Sequence, residues 1–157
     1  MPETTCNYFK KTSNDYFQYS DNTSYGYAVI SEGDSCEAFN QDITQLLFKE
    51  NSCNDDDMNE IYMSGYSSLE KILVESNTFK NTYTAIFVDM NNLISITFKK
   101  DCFSGGYKNS PSFMDDSILV ITNCSSLTTL VFEERSFISF RHFNLTGMHS
   151  FTYIHVA

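Results

Sequence analysis

From Leu127 to Ser150 the chain reads LTTLVFEERSFISFRHFNLTGMHS. Apolar residues fall at positions one, four, six and eleven (Leu127, Leu130, Phe132, Phe137), then at a second pair, Phe143 and Leu145, and at Met148. Leu69–Asn92 is also 24 residues long and puts Leu69, Ile72, Val74 and Phe79 at the same four positions, followed by Ala85, Phe87 and Met90. A third copy, Leu93–Ser126, carries Leu93, Ile96, Phe98 and Phe103, then an insertion over residues 104–115, and resumes with Leu119, Ile121 and Cys124. A fourth, Ile43–Ser68, reads ITQLLFKENSC and resumes at Ile61, Met63 and Tyr66, while Phe151–Ala157 starts a further copy. Self-similarity at such a period marks a stacked-repeat architecture.

Each LxxLxF segment followed by polar residues predicts a short strand whose apolar positions face a shared interior. The aromatic at position eleven is expected to fill the turn after that strand, and the second apolar pair to form the opposite wall. One such unit cannot bury these side chains alone, whereas a stack gives a continuous core. Equivalent residues then form rows: Phe79, Phe103 and Phe137, with Cys53 in that place in the first unit. Strands repeated in register must run parallel. The expected fold class is therefore a β-rich repeat solenoid, with a parallel sheet on one face and short strands or irregular structure on the other.

Two short stretches, NCSSL (Asn123–Leu127) with RSF (Arg135–Phe137) and MNNL (Met90–Leu93) with NTF (Asn77–Phe79), carry a family resemblance. Over roughly residues 43–157 the units resemble leucine-rich repeats of the irregular kind found in BspA-like surface and protist proteins. The second segment of each unit reads as strand rather than helix. The resemblance implies a stack of units, here 43–68, 69–92, 93–126, 127–150 and a partial 151–157, that binds other proteins. Residues 21–42, with one expected strand over Tyr25–Ile30, read as an N-terminal cap, and residues 1–20 as a polar, loosely ordered terminus.

Positions three, five and seven of each first strand alternate away from the core. Position three gives Gln45, Lys71, Ser95, Thr129 and Tyr153. Position five gives Leu47, Leu73, Thr97, Val131 and His155, and position seven gives Lys49, Glu75, Lys99 and Glu133. The position-seven row alternates in sign, and structural pairing between neighbours accounts for it. The middle row reads as solvent-facing apolar side chains in line, the pattern of a binding surface. The expected partner-binding face is Lys71, Leu73, Glu75, Ser95, Thr97, Lys99, Thr129, Val131, Glu133, Tyr153 and His155.

Composition narrows the classes. Ten basic against twenty acidic residues give the 157-residue chain a net charge of −10, which argues against nucleic acid and anionic membrane as partners. No apolar run approaches the ~18 residues of a membrane span. The N-terminal stretch has no apolar core of a secretory signal, so the expectation is cytoplasmic as the chain stands, and extracellular or surface-exposed if it is a piece of a longer protein. Five cysteines without paired spacing fit a reduced compartment better than a disulfide framework, with Cys53 and Cys124 as small core hydrophobes. Against this stand three N-glycosylation sequons, at Asn22, Asn123 and Asn144.

No P-loop, GxSxG, HExxH or CxxC motif occurs. His142, His149 and His155 lie in different parts of the unit, which disfavours a zinc site. The acidic run Asn54–Asp57 lacks the spacing of a Ca²⁺ loop and reads as a solvated turn. Neither a catalytic residue, a metal nor a cofactor is therefore expected. The reading is a non-catalytic protein-protein interaction module. A structural spacer, or a self-associating fragment joining through Phe151–Ala157, stands second, and a carbohydrate-active enzyme on a parallel β-helix third.

Overall fold

A computed structural model describes residues 26–34, 36, 41–104 and 116–157. The expected N-terminal terminus (residues 1–20) and most of the 104–115 insertion lie outside these residues. The described residues are β-rich and contain no helix. Ten short strands succeed one another: β1 (Tyr27–Ile30), β2 (Gln45–Phe48), β3 (Glu60–Ser64), β4 (Lys71–Val74), β5 (Thr84–Val88), β6 (Ser95–Phe98), β7 (Ile118–Thr122), β8 (Thr129–Phe132), β9 (His142–Thr146) and β10 (Tyr153–Val156). They form two wholly parallel sheets, one ordered β1-β2-β4-β6-β8-β10 and the other β3-β5-β7-β9.

The register follows the sequence alignment of the units. Leu46, Ile72, Ile96, Leu130 and Ile154 lie side by side across the first sheet, as do Phe48, Val74, Phe98, Phe132 and Val156. In the second sheet Ile61, Ala85, Leu119 and Phe143 align, and so do Met63, Phe87, Ile121 and Leu145. Apart from Ile154, Val156 and Phe143, these residues belong to one apolar cluster or, as Leu145 does, pack against it. The insertion in the third unit leaves this register unchanged, because β7 pairs with β5 and β9 residue for residue.

The turn after each of β2, β4, β6 and β8 has an unusual backbone. Asn51 and Cys53, Asn77 and Phe79, Asp101 and Phe103, and Arg135 and Phe137 all have positive φ, between 52° and 63°. Asparagine and aspartate tolerate this region, but a phenylalanine there costs about 1–2 kcal/mol. Packing offsets that cost. Phe79, Phe103 and Phe137 are buried and stack face to face, with centroid separations of 4.7 and 4.5 Å. Phe98 meets Phe103 and Phe137 edge-on, and Phe48 meets Phe79 in the same way. Backbone bonds tie the turns together in both directions: Asn77 N–H donates to the Lys100 carbonyl, and Phe103 N–H donates to the Thr78 carbonyl.

A second column of left-handed residues, Gly65, Asp89, Asn123 and Gly147, turns the chain after each second-sheet strand. At Gly147 a side chain is excluded twice over, by the positive φ and because a Cβ would lie 2.9 Å from the Asn123 backbone nitrogen.

Two expectations about the core need correction. Cys53 is not a free core thiol: it forms a disulfide with Cys36, 17 residues away. Cysteine spacing alone does not reveal which pairs come together in space. Closing a loop of this length restricts the unfolded chain by about 3 kcal/mol in the loop-entropy treatment. Phe143 is half exposed rather than buried, because β9 has a neighbour on one side only among the described residues.

The aromatic column is testable. Phe103→Ala should destabilise the fold by about 3–5 kcal/mol in chemical denaturation. A neutral result would mean that the column does not hold the turns.

Candidate interaction face

The outward side of the first sheet does not have one character along its length. All four residues of β1 are buried, and so are three of four in β2 and in β4. β6 and β8 alternate buried and half-buried residues, and β10 is exposed throughout. Leu47 and Leu73, expected as solvent-facing members of the middle row, are therefore corrected. They are 0% and 8% exposed and join Tyr27 and Val29 in a separate apolar cluster. Alternation places them on the outward side correctly, but that side is covered at this end of the sheet.

The face that remains open lies over β6, β8 and β10. Ser95, Thr129 and Tyr153 form one row across it, and Thr97, Val131 and His155 the next. Ser95, Thr97, Thr129 and Val131 are half-buried, and Tyr153 and His155 are exposed. Neighbours within a row are separated by the strand spacing, about 4.8 Å. Lys71 is exposed and Glu75 half-buried beside the covered leucines, where the Glu75 carboxylate accepts a hydrogen bond from the Glu50 backbone N–H.

The charged row borders this face. Lys99 and Glu133 pair at 3.2 Å, as the alternation of sign predicts. Two further pairs, which sequence reading missed, continue it into the adjoining turns: Lys100 with Glu134 at 3.4 Å, and Asp101 with Arg135. The last is bidentate, since Arg135 Nε donates to one Asp101 carboxylate oxygen and an Arg135 terminal nitrogen donates to the other, at 2.7 and 2.8 Å. The hydrogen bond from Arg135, reinforced by the charges of Arg135, Lys100 and Lys80, holds the Asp101 carboxyl below its ordinary range.

The second sheet carries an outward row that sequence reading also missed. Tyr62, Ile86 and Val120 align across β3, β5 and β7, with Asn144 next on β9. Tyr62 is 58% exposed, and Ile86 and Val120 are half-buried. The unbroken apolar run Ile118–Ile121 was the available signal, because a strand with apolar residues on both sides has two apolar faces.

The described residues contain no group of three or more His, Cys, Asp or Glu side chains able to hold a metal ion. Among them Cys102 and Cys124 are free thiols, both buried. Burial raises the pKa of each thiol above the ordinary cysteine value, which disfavours the reactive thiolate.

Asp101 supplies a pH test. A carboxyl whose pKa is depressed by folding adds stability above its unfolded pKa, and that contribution is lost as pH falls through the folded value. Wild-type stability should therefore fall more steeply on acidification than that of Arg135→Gln. Parallel denaturation curves for the two proteins across the acid range would show that the pair contributes nothing. No protein-family model, curated protein sequence or solved structure matches the chain.

Proposed function

We propose that the chain is a leucine-rich-repeat-like solenoid acting as a non-catalytic protein-interaction module. Its ligand is a protein or peptide segment laid across the open face of β6, β8 and β10. The observation that carries this reading is the strict parallel register of the first sheet. It lines up Ser95, Thr97, Thr129, Val131, Tyr153 and His155 as a partly apolar grid bordered by Lys99 and Glu133. Rows of side chains repeated at the strand spacing suit an extended polypeptide better than a small molecule. Nucleic acid is disfavoured by the net charge of −10. The Cys36–Cys53 disulfide supports an oxidising setting, outside the cell or at its surface, over a cytoplasmic one.

A second reading rests on a different observation. Ile154 and Val156 occupy the register positions of Leu130 and Phe132, yet are 49% and 71% exposed against 0% and 7%. An apolar strand with an open edge favours pairing with another strand, and so supports self-association through Phe151–Ala157.

A pull-down from the source cells, comparing wild type with Thr97→Glu/Val131→Glu, separates the two readings. Loss of one partner from the variant, with affinity reduced about tenfold or more, is the expected result. Equal capture by both proteins would remove the sheet face from consideration. In light scattering, a mass that rises with concentration in wild type but not in Ile154→Lys would move the function to the last strand.

A further inference from the structure

Asparagine is a poor strand residue, yet Asn144 stands at the centre of β9, in the outward row whose other members are Tyr62, Ile86 and Val120. It opens the sequence Asn144-Leu145-Thr146. Asn144 and Thr146 are both exposed, while Leu145 between them packs against the core. The strand thus presents the acceptor asparagine and the sequon hydroxyl on one side.

Several other asparagines use their carboxamides within the fold. The Nδ2 of Asn54 donates to the Asn77 carbonyl, that of Asn81 to the Asn54 carbonyl, and that of Asn92 to the Ser67 carbonyl. Asn123, which opens the other sequon among the described residues, donates from Nδ2 to the Asp89 carboxylate. It also has positive φ and abuts Gly147. The Asn144 carboxamide has no hydrogen-bond partner among the described residues. Asn144 thus serves neither the core nor a turn, and its carboxamide is exposed in a row otherwise apolar.

We propose that Asn144 is an N-glycosylation site and that its glycan projects from the outward face of the second sheet, at the end of the Tyr62–Ile86–Val120 row. The sugar donor is a polyprenyl-diphosphate-linked oligosaccharide. The Asn144 Nδ2 attacks the anomeric carbon of the first sugar, the bond from that carbon to the diphosphate oxygen breaks, and the diphosphate leaves with the electron pair. The nitrogen gives up one proton and keeps the other, and nothing is oxidised or reduced. The Cys36–Cys53 disulfide agrees independently, since a chain that forms it matures in an oxidising compartment.

The test is mass spectrometry of the Asn144 peptide from the protein purified from its source cells. The digest is examined before and after amidase release of N-glycans in heavy-oxygen water. A sugar-bearing peptide, converted by release into an isotope-labelled aspartate at position 144, is the expected result. In the same cells Thr146→Ala should lose the modification and Thr146→Ser should keep it. An unmodified Asn144 peptide overturns the proposal, as does occupancy confined to Asn22 or Asn123.

Discussion

The fold depends on an aromatic residue held in a backbone conformation it would not adopt alone. Phe79, Phe103 and Phe137 each close a turn with positive φ, and each is stabilised by stacking on the ring of a neighbouring unit. The strain is local, while the compensation comes from the units on either side. A single unit with this turn would be unstable, and a series of them is cooperative. The same turns carry the bonds from Asn51, Asn77 and Asp101 to the next unit and from Phe79, Phe103 and Phe137 to the previous one. Register across both sheets is thereby set at the turns as well as within the strands.

Register is what makes a surface of the outward side chains. Because equivalent residues align, the opposite signs at Lys99–Glu133, Lys100–Glu134 and Asp101–Arg135 become three ion pairs between the segments that follow β6 and β8. Exposed pairs of this kind stabilise little individually. Their effect here is to neutralise the border of the face, leaving the net negative charge of the chain to residues elsewhere. Coverage of Leu47 and Leu73 at one end and full exposure of β10 at the other give the first sheet a graded outer side.

Much of this architecture was legible in the sequence. Alignment of the LxxLxF segments placed Ile72, Ile96 and Leu130 correctly in the core, and the row Phe79–Phe103–Phe137 follows from the same alignment. Strand rather than helix at Ile61–Met63, Ala85–Phe87 and Leu119–Ile121 was legible from period-two alternation. What alternation cannot reveal is what lies over an outward residue, and so Leu47 and Leu73 were misjudged. Nor does it specify an end effect: Phe143 has a core pattern but a one-sided neighbourhood. The Cys36–Cys53 bond joins a residue outside the repeat to one within it, so the repeat pattern held no signal for it.

The order of the strands also governs how the molecule would bear load. Each strand of the first sheet is bonded to its predecessor and its successor in the chain's own order of units, β2 to β4 to β6 to β8 to β10. Tension applied along the stack therefore loads one row of backbone bonds at a time, like a zipper, instead of shearing many together. The chain would lengthen unit by unit, with a longer step at the third unit, which carries the insertion. At the far end the covalent link between Cys36 and Cys53 limits the extension that force alone can reach.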